Sequence, residues 1–120
     1  METKERERLI GAGIDVDGGI TRCMGNEALY KKLIKRIWED TNYQDILSGL
    51  KEENMETVLR AAHTLKGISG NLGFIRLYNI TEEMVKMIRE GREDEVVAKT
   101  EELTQSYEEV LRALEETGNQ

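Results

Sequence analysis

Not one of the 120 residues is a proline. Proline removes a backbone donor and clashes with the preceding turn, so a chain without it meets no compulsory break in a helix. Glycine punctuates this chain instead. Gly25, Gly73 and Gly91 stand between stretches whose apolar residues recur at helical spacing. The cleanest stretch runs from about Glu93 to Glu116 and carries Val96, Leu103, Tyr107, Val110 and Leu114, with Thr100 filling one slot. Arg76 to Glu90 likewise lines up Leu77, Ile80, Met84 and Ile88 before Gly91 stops it. β-Branched residues never gather into the alternating runs that mark strands. Charged residues make up 34% against 38% hydrophobic, the balance of amphipathic helices that each show one face to water.

Earlier segments read the same way. Asp15 to Met24 forms a short helix, weakened by Gly18 and Gly19. Gly25-Asn26 ends it and caps the next, with Glu27 in the first turn where the helix dipole favours negative charge. That helix carries Leu29, Leu33 and Ile37 on one stripe, with Tyr30 and Ile34 beside it. Ile46, Leu47 and Leu50 fall on a second stripe, displaced by roughly a third of a turn, so one long curved helix or a break near Asp40 to Tyr43 is expected. Asn54 caps a further helix reaching Leu72, with Gly73 just past its end. Short connections favour antiparallel neighbours. The expected fold is all-α, an up-and-down antiparallel four-helix bundle with a short additional N-terminal helix. Residues 1–12 are set apart as an N-terminal tail, frayed helix or flexible chain, 13–116 as the helical domain, and 117–120 as a C-terminal tail.

Several function classes drop out. A net charge of −7 argues against nucleic acid, which needs a basic stripe to neutralise phosphates. The one cysteine, Cys23, allows no internal disulfide and no metal cluster, and reads as an inert buried thiol. The charged opening from Met1 to Arg8 is unlike a signal peptide, and no apolar run approaches the ~18 residues of a membrane span. A cytoplasmic monomer without membrane contact is the default reading.

The helix from Asn54 to Leu72 concentrates the chemistry. On a helical wheel Val58, Ala62, Leu65, Ser69 and Leu72 share a sector of about 80°, with Ala61 and Ile68 at its edge; this is the core face. His63, the only histidine, lies about 140° from Val58 and points outward. Gly67 and Gly70, at about 180° and 120°, flank it on the same face. Each helix-interior glycine costs ~1 kcal/mol relative to alanine, a cost that makes sense where something must approach the backbone closely. Lys66 at i+3 and Arg60 at i−3 place cations on either side of the imidazole. An imidazole with a free lone pair is a competent covalent nucleophile, and phosphoryl transfer asks mainly for positioning and charge stabilisation. No glycine-rich nucleotide loop, Walker motif or carboxylate cluster for Mg²⁺ is evident. Such a domain can hold and hand on a phosphoryl group, with no evident means of taking one from ATP.

The segment His63-Thr64-Leu65-Lys66-Gly67, with Gly73 six residues after Gly67, resembles the signature of histidine-phosphotransfer (HPt) domains. The opening Gly13-Ile14-Asp15-Val16 leading to Gly25-Asn26-Glu27-Ala28-Leu29-Tyr30 is similar to the family's as well, and the likeness extends from about Gly13 to Leu114. The resemblance implies that His63 is phosphorylated on its outer ring nitrogen, that Lys66 assists the phosphoryl group, and that Gly67 leaves room for the partner. Implied partners are response-regulator receiver domains and hybrid histidine kinases. The domain itself would be no enzyme and hold no cofactor, with Mg²⁺ supplied at the receiver. Receivers in this family dock on apolar surface around the histidine. Leu59, Arg60, Gly70, Met24 and Ile20 are the candidates here, Leu59, Met24 and Ile20 by position rather than motif. Ile68 departs from the small residue often found after Lys-Gly. Two other functions fit the same sequence: the phospho-accepting domain of a chemotaxis-type kinase, and an adaptor that binds receivers without phosphotransfer. A Met1 start and an end soon after the last helix weigh against the multidomain kinase.

Overall fold

Caps and glycines set the element boundaries. A computed structural model describes residues 1–118, with side chains through Glu115. It contains α1 (Thr3–Gly11), α2 (Val16–Arg22), α3 (Glu27–Lys35), a 3-10 turn (Arg36–Glu39), α4 (Asn42–Lys51), α5 (Met55–Leu72), α6 (Ile75–Arg89) and α7 (Glu93–Gly118). Three N-caps work through side-chain oxygens: Asp15 accepts from the Gly18 amide, Asn26 from Leu29 and Asn54 from Thr57, each occupying an otherwise unpaired donor of a first turn. α5 ends at Gly73, whose φ of +83° is the left-handed conformation that glycine adopts without strain.

The fold is all-α, as expected. Helices α4 to α7 pack as sequential neighbours around one core, joined by connections too short for anything but antiparallel packing. The ring closes between α4 and α7. Tyr43 stacks on Tyr107 with centroids 4.1 Å apart, and its hydroxyl lies 2.8 Å from that of Thr104. α3 lies across α5 and α7. Its Tyr30 is fully buried and donates its hydroxyl to the Leu72 carbonyl at 2.7 Å. Burial pushes the Tyr30 phenol far above the ordinary tyrosine range, with nearby Asp15 adding to it.

Two boundaries differ from the sequence reading, and an expected one is located. Residues 1–12 are no loose tail: α1 packs on α7 and α2, with Leu9 fully buried and the buried Glu5 carboxylate met by Lys31 at 3.3 Å. An alternation of charges hid one apolar and one paired acidic position on a single face. The additional N-terminal element is therefore a pair, α1 and α2. The expected break falls at Asp40-Thr41, preceded by the 3-10 turn, so α3 and α4 are separate helices. α7 continues through 117–118; the remainder of the expected C-terminal tail, 119–120, lies outside the described residues. Among the described residues no helix is long and apolar enough to cross a membrane.

α2 is fixed against the C-terminal end of α5. The Asp15 amide donates to the Gly73 carbonyl at 2.7 Å within an antiparallel bridge between Ile14 and Phe74, and Arg22 Nε donates to the Asn71 carbonyl at 2.8 Å. Gly19 is buried against Tyr30; a Cβ there would lie 2.1 Å from the ring, which accounts for a glycine inside so short a helix. Cys23 is buried, as expected of an inert thiol.

Candidate functional site

α5 presents the two faces that its periodicity predicts. Val58, Ala61, Ala62, Leu65, Ser69 and Leu72 are buried, while Arg60, His63, Thr64 and Gly67 are exposed. His63 sits at mid-helix, where intact hydrogen bonding on both sides makes the backbone a rigid mount. The residue is exposed, and among the described residues no hydrogen bond or ion pair engages its ring. The Thr64 hydroxyl is turned back to the Arg60 carbonyl at 3.0 Å and does not compete for the imidazole.

His63 lines a shallow groove with Glu56, Leu59, Arg60, Thr64 and Arg89. Leu59 is half-buried and forms its apolar floor. Arg89 comes from the last turn of α6, and sequence reasoning missed it. Its place beside His63 depends on the antiparallel register of α5 and α6, which periodicity within one helix does not carry. Arg60 and Arg89 thus put two guanidiniums at the same groove, a geometry suited to phosphate oxygens.

The glycines divide in function. A Cβ at Gly67 would meet nothing within 4 Å, so this position leaves open ground one turn from His63. A Cβ at Gly70 would lie 3.2 Å from Cδ2 and Cε2 of Tyr78, so Gly70 seats an α6 ring rather than opening the surface. Lys66 is half-buried, with Nζ over that ring at 6.0 Å from its centroid. Tyr78 is the second α6 residue that the sequence did not point to. Ile68 is half-buried against the core, where its wheel position puts it.

Ile20 and Met24 are not part of the His63 groove. α2 meets α5 near Asn71, eight residues or about 12 Å along the helix from His63. Ile20 packs against the core there, and Met24 is 96% exposed in the turn that follows α2. A separate apolar groove lies between α3 and α5, lined by Leu33, Arg36, Ile37, Glu39, Asp40, Ile68, Asn71 and Leu72. Among the described residues no cluster of three or more His, Cys, Asp or Glu side chains is arranged to hold a metal ion.

A family model described as Hpt domain matches residues 38–113, well over half of the chain and including the whole of α5 and α6. No curated protein and no solved structure matches. Hpt domains are phosphocarrier modules rather than kinases; they take part in phosphorelays and interact with receiver domains and histidine kinases. With its α-helical fold, its solvent-facing histidine at mid-helix and this match, the chain belongs to the Hpt domain family.

Proposed function

We propose that this protein carries a phosphoryl group on His63 between the aspartates of receiver domains. The observation that carries the reading is the placement of an exposed imidazole on a helix, beside the clear ground of Gly67 and two guanidiniums at the same groove. In the forward step the outer ring nitrogen attacks the phosphorus of the receiver's aspartyl phosphate. The phosphorus–oxygen bond breaks, the phosphorus–nitrogen bond forms, and the receiver's carboxylate leaves. The reverse of this step on a second receiver completes the relay. No bond to ATP is involved, and Mg²⁺ is held by the receiver.

This chain's residues contribute positioning and charge. Lys66, Arg60 and Arg89 offset the charge on the phosphoryl oxygens, with Lys66 placed one turn from the nucleophile. Gly67 lets the receiver's site come close, and Leu59 gives apolar contact beside the histidine. The groove between α3 and α5 extends the docking face on the other flank of α5. Gly70, Ile20 and Met24 lie outside the groove that His63 lines. The relay runs in the cytoplasm with the protein as a monomer.

The test is incubation with a phosphorylated receiver domain and Mg²⁺. An adduct labile in acid and stable in base forms on the wild type and is absent from His63→Gln. Binding of receivers without any adduct would overturn the carrier reading in favour of an adaptor.

A further inference from the structure

Three residues of α5 and α6 form a unit that the transfer chemistry does not by itself require. The ring of Tyr78 lies against the bare backbone of Gly70, where even a methyl group would stand 3.2 Å from two ring carbons. The Glu82 carboxylate, one turn along α6, holds the phenol above its ordinary range. The ring is seated by one edge against α5. Lys66 Nζ lies over it, 6.0 Å from the centroid. Without a partner a lysine samples many rotamers, some of which cover the surface above Gly67.

We propose that Tyr78 is a positioning residue for Lys66. The ring holds the ammonium on the α6 flank of α5 while His63 is unmodified, and releases it to the phosphoryl oxygens once His63 carries them. This inference rests on the carrier reading and deepens it. A distance of 6.0 Å is the outer edge of an effective cation–π contact, so the hold is weak enough to be lost. A phosphoryl group one turn away offers the ammonium a full opposite charge and oxygen acceptors, a stronger partner than a ring quadrupole. Until then the ring keeps the long side chain clear of the ground where a receiver approaches. Gly70 has its place in this unit as the seat of the ring.

The test uses phosphoramidate, so that no partner protein intervenes: its phosphorus–nitrogen bond breaks, the bond to the His63 ring nitrogen forms, and ammonia leaves. Proton NMR follows the ε-methylene of Lys66, which a nearby ring face shifts upfield. In the wild type and in Tyr78→Phe the upfield shift is present and relaxes on phosphorylation. In Tyr78→Leu the shift is absent and phosphorylation quickens about two- to fivefold, the factor that a surface cation–π contact held only in the unmodified state carries. With Lys66→Met already present, Tyr78→Leu has no further effect. A slowing in Tyr78→Leu alone, or an equal quickening in the Lys66→Met background, would show that the ring does not act through Lys66, and would overturn the inference. So would a Lys66 shift unchanged by phosphorylation at His63. A wild type that accepts no phosphoryl group on His63 overturns the carrier reading, and the release of Lys66 with it.

Discussion

Gly67→Ala should make this protein more stable and a poorer relay partner. An exposed glycine in a helix interior costs ~1 kcal/mol relative to alanine, and the added methyl would meet nothing within 4 Å, so no packing cost offsets the gain. For a chain of 120 residues that gain raises the melting temperature by about 3–5 °C. The same methyl stands one turn from His63 on the face offered to a receiver. An extra methyl group in a close-packed contact costs about 1–3 kcal/mol, so transfer from a phosphorylated receiver should slow roughly 5- to 100-fold. Phosphorylation by phosphoramidate, which brings no protein surface, should stay within about twofold, since the imidazole itself is untouched. Thermal melts by circular dichroism and single-turnover phosphotransfer give the two readings. A lowered melting temperature would refute the open space at Gly67. A raised one with receiver-dependent transfer unchanged would refute its use as clearance.

Other substitutions probe the frame and the charges. Tyr30→Phe leaves the buried Leu72 carbonyl without its 2.7 Å donor and should cost about 1–3 kcal/mol in urea denaturation. The wild-type phenol also retains its proton in the fold well above the range where an unfolded tyrosine ionises. Its contribution is therefore complete below about pH 10 and is lost as the pH rises beyond that; urea midpoints of Tyr30→Phe should fall less steeply there than those of the wild type. Gly73→Ala forces a φ of +83° on a residue with a Cβ, and places that Cβ 2.4 Å from the Asp15 carbonyl oxygen. The strained backbone alone costs about 1–3 kcal/mol, and a larger loss in the same assay is expected from the clash. Arg89→Ala should slow receiver-dependent transfer about three- to tenfold at low ionic strength, with a smaller difference at high salt. A difference independent of salt would remove Arg89 from the charge argument.

What could be read from the sequence divides along the range of the forces involved. The core face of α5, the exposure of His63 and the caps at Asn54 and Gly73 depend on residues within a few positions of one another. Helical periodicity carries that information in full. Arg89 and Tyr78 reach the site only because α6 returns antiparallel along α5, and their register is set by packing between the helices. The same limit explains Gly70. Its wheel position beside His63 suited partner access, but Tyr78 occupies that flank. Ile20 and Met24 are candidates by position rather than motif, and the attachment of α2 near Asn71 sets that helix about 12 Å along α5 from His63. The α1 segment was obscured because its buried face includes Glu5, whose burial makes sense only with Lys31 from another helix beside it.

The bridge between Ile14 and Phe74 gives this domain a folding unit larger than the stretch that the family model matches. The family match begins at residue 38, yet Leu9, Ile14, Val16, Tyr30 and Ile34 all contribute fully or nearly fully buried side chains to the core. Joining residue 14 to residue 74 closes a long loop, an entropic cost that must be met by contacts formed together rather than one by one. The end of α5 is therefore anchored from outside the matched stretch. Changes in the first three helices can loosen or tighten the anchoring of the helix that bears His63 while leaving the motif around it letter for letter the same. Relay domains with identical signatures need not, on this architecture, hold their histidines with equal firmness.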